Sequence, residues 1–441
     1  MKGKYFVLIN SVVAALGGFL FGFDTAVISG AEQAIQQLWS LDDVDHGLVV
    51  AIALYGTVVG ALFGGYPADR LGRKRTLFWV GVFYLVSAVG SALAPDVETF
   101  MILRFLGGLG VGASSVAAPM YISEISPANS RGRMVALFQF NVVFGILIAY
   151  VSNYFMEGVG GADDWRWMLG LEALPALAFM ILINFVPRSP RWLILKKGKI
   201  EEAKAVLISI DAENAEATLK SIQQSAEHQN GGKNRLFAKK YSFPILLAFL
   251  FAFFNQVSGI NAIIYYAPRL FEMTGLAASS ALLSTAGIGL VNMIFTILGM
   301  VLIDKVGRKI LMYIGSLGLI AALGLVSNAF YTHTFGGVPT FFLIYIGFFA
   351  LSQGAVIWVF ISEIFPNEVR AAGQSLGSFS HWLMAAFIAN VFPFFTNVYG
   401  AGPVFLFFTV MMIFQLLFVW QVMPETKGKT LEQIQKDLSI D

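Results

Sequence analysis

ILMYIGSLGLIAALGLVSNAFYTHTFGGVPTFFLIYIGFFALSQGAVIWVFIS, residues 310–362, runs for 53 residues without an aspartate, glutamate, lysine or arginine. As one helix rising 1.5 Å per residue it would be about 80 Å long, whereas the hydrocarbon layer of a bilayer is about 30 Å thick. Two spans are therefore folded into it, and Gly336-Gly337-Val338-Pro339 supplies the break between them. Toward the C-terminus the run 371–424 repeats the situation around Gly400-Ala401-Gly402-Pro403. Toward the N-terminus the charge-free runs 5–23, 46–68, 76–95, 105–123, 134–156, 173–187, 241–268 and 273–303 each suit one span, giving twelve in all. The whole chain agrees: 57% of its 441 residues are hydrophobic and 13% charged, which excludes a water-soluble globule.

The flanks of the opening stretch recur. Asp304-Lys305-Val306-Gly307-Arg308-Lys309, just before it, answers Asp69-Arg70-Leu71-Gly72-Arg73-Lys74. Ser362-Glu363-Ile364-Phe365-Pro366 with Arg370, just after it, answers Ser123-Glu124-Ile125-Ser126-Pro127 with Arg131. Pro424-Glu425-Thr426 answers Pro187-Arg188-Ser189, and Gly259-Ile260-Asn261 answers Gly22-Phe23-Asp24. Four matches at offsets of 235 to 239 residues describe a parallel internal repeat of six spans. The expected organisation is an N-terminal six-helix bundle over 1–187, a linker with short amphipathic helices over 188–240, a C-terminal six-helix bundle over 241–424 and a tail over 425–441. In the linker Ile200, Ala203, Leu207 and Ile210 share a helical face; in the tail Thr430 and Gln433 form a capping box ahead of Leu431, Ile434 and Leu438.

With the N-terminus inside, all but three of the 29 basic residues fall on the inner side, so both termini, the linker and the repeated charged loops are expected to be cytoplasmic in a multi-pass cell-membrane protein. The three others are Arg104, Arg166 and Arg269, the last two at outer helix ends. Met1 to Phe23 resembles a signal peptide only in part, because the apolar run continues past Asp24 without a cleavage site. The absence of cysteine excludes disulfides and thiolate metal sites, four unpaired histidines give no reason to expect a metal, and a net charge of +2 gives none to expect nucleic acid. No cofactor is expected, and no nucleophile, base and oxyanion donor can be grouped into an enzyme site. The oligomeric state is open; a monomer suffices.

The repeated charges predict a cytoplasmic gate. Asp69, Arg70, Arg73, Glu124, Arg131 and Arg191 in the first half, and Asp304, Arg308, Glu363, Arg370 and Glu425 in the second, can pair with one another and with helix ends. The plainer alternative is that these charges only fix topology.

Together with 22–30, 119–124 (Pro-Met-Tyr-Ile-Ser-Glu), 189–193 (Ser-Pro-Arg-Trp-Leu) and 424–428 (Pro-Glu-Thr-Lys-Gly), these strings make the chain resemble a sugar porter of the major facilitator superfamily over nearly its whole length. The resemblance implies an all-α membrane protein with twelve transmembrane helices in two six-helix bundles, and alternating-access transport of a monosaccharide with a proton. Arg188 departs from the pattern, since the family usually has Glu there, which leaves one inner ion pair open.

Charges inside a span are costly, and Asp24, Arg104 and Glu172 qualify. With span one ending near residue 31, span four starting near Glu98 and span six near Arg166, all three lie about 9 to 11 Å below the outer face and can cluster. Two carboxyls around one arginine can hold a proton, taken up when the arginine withdraws and expelled when it approaches. Asn261, the repeat partner of Asp24, cannot titrate, so proton chemistry is expected in the first half alone. The resemblance agrees: proton-coupled sugar porters have Asp and Arg at the positions of Asp24 and Arg104, many facilitative ones a neutral residue at the former, and Glu172 matches a glutamate of a bacterial proton-coupled member. A static ion pair is the alternative.

A sugar needs amides for its hydroxyls and rings for its C–H faces. Gln139 in span five, Asn255, Gln256 and Asn261 in span seven and Asn292 in span eight offer the amides, and Trp358 and Trp382 the rings. Asn255 and Gln256 stand six and five residues before Asn261, so convergence requires a local unwinding or a broad face. The resemblance assigns sugar contacts to Gln139, Gln256, Asn261, Asn292, Trp358 and Trp382 and a pocket position to Phe21. Asn255 stands where the family has Gln, and His381 where Gln or Asn precedes the Trp. Interhelical hydrogen bonding is the alternative for the amides. A uniporter or a membrane sugar sensor are the alternative functions.

Overall fold

The structure is a computed structural model that describes residues 3–127, 130–228, 236–366, 368–429 and 431–438. Among the described residues there are helices and no strands. Twelve helices among the described residues are long and apolar enough to cross a membrane. Spans one to six are Lys4–Leu38, Asp43–Phe63, Arg73–Leu93, Val97–Ile125, Arg131–Met156 and Gly161–Leu182. Spans seven to twelve are Lys239–Glu272, Ala278–Val306, Arg308–Thr332, Phe335–Ile364, Arg370–Tyr399 and Ala401–Gln421. The two longest charge-free runs divide where their glycines stand: Phe335–Gly337 is a single 3-10 turn with Pro339 in the first turn of the helix that follows, and Gly400, at φ +83°, separates the last two spans.

Span one departs from its expected length. It continues past residue 31 to Leu38, because Glu32 is fully buried against Arg269 and His46, and a neutralised carboxylate does not end a helix. Asp24 is therefore well inside the helix rather than a few residues from its end. Three other spans are interrupted. Span six turns at Leu171 and Glu172 between Asp164–Gly170 and Ala173–Leu182. Span seven opens between Ser242–Gln256 and Ile260–Glu272. Span ten holds a π-helical segment at Ala350–Gly354.

The chain forms two compact units. One comprises the described residues of Met1–Thr25, Tyr55–Ala149 and Arg166–Lys233; the other those of Ala26–Leu54, Tyr150–Trp165 and Asn234–Asp441. In the first, span three packs along span four and against the second half of span six. In the second, span nine packs along spans ten and twelve, and the first half of span seven along span eleven. The linker folds within the first unit as Ile200–Ile210 and Ala215–His228, and Ala203, Leu207, Leu219 and Ile222 close a small apolar core with Trp192 and Leu193. In the tail, helix Leu431–Asp437 buries Ile434; Thr430, the expected cap, lies outside the described residues.

Candidate functional site

In the first unit Asp24 and Arg104 are 1% and 2% exposed, so their pairing occurs out of water. Arg104 Nη1 donates to Asp24 Oδ1 at 2.5 Å and Nη2 to the Asp24 main-chain oxygen at 3.0 Å. The guanidinium thus holds both the side chain and the backbone of span one. Glu172 sits in the turn of span six, is 1% exposed and faces both of them. Its Oε1 accepts no hydrogen bond. Phe21, one turn before Asp24, meets the Phe138 ring at 6.4 Å, and the adjacent Gln139 is half-buried.

In the second unit the break in span seven is built on Gly259, whose φ of +85° is unfavourable for any residue with a Cβ. A Cβ there would also stand 2.6 Å from the Phe408 ring. The unwinding lets residues that one helical face cannot hold converge. Asn261 Nδ2 donates to Gln256 Oε1 at 2.5 Å, and Gln256 Nε2 donates to Asn255 Oδ1 at 3.0 Å. Gln256 Nε2 also lies 3.2 Å from both ring nitrogens of His381. The His381 ring meets two indoles at an angle, tilted by 58° to Trp358 and edge-on at 89° to Trp382, with centroids 4.9 and 4.8 Å apart. Three amides, one imidazole and two indoles therefore meet at one place. Asn292 is buried, and its Oδ1 lies 3.4 Å from the Thr296 hydroxyl.

At the basic ends of the helices the two arginine clusters repeat with the same residue types. Arg73 bonds Asp69 at 3.0 Å and Glu124 at 2.9 Å, and Ser189 donates to Glu124 Oε2. Arg308 bonds Asp304 at 3.1 Å and Glu363 at 2.7 Å, and Thr426 donates to Glu363 Oε2. Each arginine also donates to a carbonyl at the end of the preceding helix, Ala68 or Ile303. Glu425 accepts from the backbone N–H groups of Arg308 and Lys309, capping span nine. Its repeat partner Arg188 reaches instead toward Glu202 of the linker, at 3.5 Å. Of the remaining gate candidates, Arg70 donates to Tyr66, Arg370 donates to the Phe365 carbonyl, exposed Arg191 faces Glu124, and Arg131 is exposed.

Sequence reasoning missed a second ion cluster, at the opposite helix ends of the second unit. Arg269 grips Glu32 with two bonds of 3.0 and 2.7 Å and Gln36 with one of 2.6 Å. His46 Nε2 lies 2.8 Å from Glu32, and its ring packs edge-on to Tyr266, where span seven kinks. Glu32 and His46 are fully buried. Buried Gln353 of the π-helical segment donates to Gln415 at 2.7 Å, which donates to Ser316, an amide bridge also not foreseen.

A family model described as "Sugar (and other) transporter" matches residues 10–438. The chain is 38% identical to an arabinose-proton symporter of Bacillus subtilis, over 98% of this chain and 95% of that one. It is 37% identical to a D-xylose-proton symporter of Escherichia coli, over 96% and 94%. Among solved structures it is similar to the xylose transporter XylE from E. coli in a partially occluded inward open conformation, with a TM-score of 0.86, 35% identity and coverage of 97% and 100%. XylE bound to 6-bromo-6-deoxy-D-glucose matches with a TM-score of 0.83, 35% identity and coverage of 99% and 100%. These matches extend through both halves, the linker and most of the tail, and with its twelve spans and major facilitator fold the chain belongs to the sugar (and other) transporter family.

Proposed function

We propose that this protein is a monosaccharide/proton symporter of the cell membrane that works by alternating access, with its basic helix ends, linker and both termini in the cytoplasm. The observation that carries this reading is the buried Asp24–Arg104 ion pair with Glu172 beside it, set against the non-titratable Asn261 at the matching place in the second half. Protonation of Asp24 breaks its ion pair and frees Arg104 from span one; loss of the proton restores both. The second unit supplies the sugar contacts: Asn255, Gln256, Asn261 and His381 for hydroxyls, Trp358 and Trp382 for the apolar faces, with Asn292 on span eight as a further amide. Phe21 and Gln139 are their first-unit counterparts. The Arg73–Glu124 and Arg308–Glu363 networks form the cytoplasmic gate, with Asp69, Asp304 and Glu425 setting each arginine and helix end. Arg70, Arg131, Arg191 and Arg370 complete its charge. The relatives that transport arabinose or xylose with protons support this reading.

Asp24→Asn tests it in reconstituted vesicles. The variant keeps the size and hydrogen bonding of the residue and removes its titration. It is expected to exchange labelled sugar across the membrane but to lose accumulation under an imposed pH gradient. Undiminished accumulation would refute the role of Asp24, and sugar flux without any proton movement in the parent would leave a uniporter.

A further inference from the structure

The second compact unit is more than the second half of the repeat. It takes in Ala26–Leu54 and Tyr150–Trp165, the ends of spans one, two and five that lie away from the basic clusters. Polar contacts tie these first-half ends to second-half helices. Arg269 of span seven holds Glu32 of span one through Nε at 3.0 Å and Nη2 at 2.7 Å, and His46 Nε2 of span two stands 2.8 Å from the same carboxylate. Asn397 of span eleven donates to Asp43 at the start of span two, and Tyr150 of span five donates to the Ile264 carbonyl of span seven. Spans two and eleven touch at Gly47, where an added Cβ would collide with the Asn390 carbonyl. The side chains of Glu32 and His46 are 0% exposed and that of Arg269 25%. A buried ion pair adds little net stability, because the loss of hydration offsets the Coulomb attraction, so parting these helices would return both charges to water with little net change. A lone buried charge, by contrast, disfavours the packed state alone. Arg269 also shares the helix Ile260–Glu272 with Asn261, eight residues and about 12 Å away, and the break at Gly259 sets that helix apart from the rest of span seven.

We propose that Glu32 and Arg269 form the outer latch of the transport cycle. Paired, they hold the outer ends of spans one and seven together, with His46 packed on the carboxylate; they part each time the sugar site opens to the outside. The latch differs in kind from the cytoplasmic networks, each of which lies within one half of the repeat, because it joins a first-half helix to a second-half helix. Its guanidinium and the Asn261 amide move on the same short helix, so a sugar drawing on Asn261 pulls on the latch.

This inference rests on the proposed orientation and alternating access, and the test separates them. The chain has no cysteine, so a single introduced thiol reports alone. Ser29 lies about one turn inward of Glu32 on span one and is 1% exposed. Ser29→Cys is made by itself, with Arg269→Gln, and with Glu32→Gln and Arg269→Gln together. Right-side-out and inverted membrane vesicles are treated with a membrane-impermeant methanethiosulfonate. In Arg269→Gln the uncompensated Glu32 carboxylate favours the parted state, and labelling from outside is expected to rise at least about fivefold. Replacing both partners leaves no lone carboxylate, and labelling is expected to return to within about twofold of Ser29→Cys alone. Ser114→Cys, fully buried against Gly17 within the first unit, is the control and is expected to stay unlabelled in the Arg269→Gln background. Unchanged labelling of Ser29→Cys in Arg269→Gln overturns the latch and leaves the transport reading standing. A rise seen only from the cytoplasmic face overturns the orientation, and the outer latch with it. Labelling that stays high in the double variant, or a matching rise at Ser114→Cys, shows a loosened fold and overturns the latch.

Discussion

Gly259 shows how a single position sets the geometry of the second unit. Its left-handed φ and the Phe408 ring 2.6 Å from any added Cβ are independent obstacles to a side chain. The first costs roughly 1–2 kcal/mol for an L-residue. The second, a case of overpacking, typically costs about 1–3 kcal/mol. Gly259→Ala is therefore expected to lower the melting temperature by several degrees and to weaken sugar binding, as read by sugar-dependent thermal shift; a variant with unchanged melting and binding would mean that span seven need not open there. The spacing of Asn255, Gln256 and Asn261 already called for either this break or a broad face, because residues five and six apart fall on different faces of a continuous helix. No such signal announced the Gln353–Gln415–Ser316 bridge. An amide inside the run 310–362 looks the same whether it faces lipid or a neighbouring helix.

Elements that end in charge were readable, and elements that hide charge were not. The Arg73 and Arg308 clusters lie at the boundaries of charge-free runs and occur twice, so their place followed from the repeat while the choice of partner within each did not. The Glu32–Arg269–His46 cluster occurs once, and its carboxylate and guanidinium are 237 residues apart in the chain; span one was expected to end near residue 31, whereas Glu32 is an ion-paired residue inside a longer helix. The repeat also isolates what Arg188 changes. Glu425 caps span nine with a carboxylate on two backbone N–H groups, whereas span three, starting at Arg73, has no side-chain cap. A negative group at a helix N-terminus contributes roughly 0.3–1 kcal/mol. Arg188→Glu is accordingly expected to raise the melting temperature by a degree or two, and Glu425→Gln to lower it. A fall in the first variant would show that the two helix starts are not equivalent despite their matching ion networks.

At the scale of the whole molecule, the repeat sets a buried acid–arginine cluster in the first half against hydrogen-bonded amides at the matching place in the second. That division fixes how many protons can move. Asp24, Glu172 and Arg104 are two acids and one permanent cation, all buried. With one proton on the acids the cluster is neutral. Adding or removing one leaves a single uncompensated charge, so a swing of two protons would pass from net negative to net positive within the membrane interior. An unpaired charge at that depth costs several kcal/mol, and visiting both signs in one cycle incurs that cost twice. One proton per sugar is the expected stoichiometry. A single charge moving through 100 mV releases about 2.3 kcal/mol, which sustains roughly fifty-fold accumulation of a neutral sugar. Vesicles clamped at 100 mV, interior negative and without a pH difference, should plateau near that ratio, and the Asp24→Asn variant should plateau at equal concentrations. Two protons would square the ratio to roughly 2,500-fold. A plateau well above a hundred-fold would therefore require a second titrating site outside this cluster.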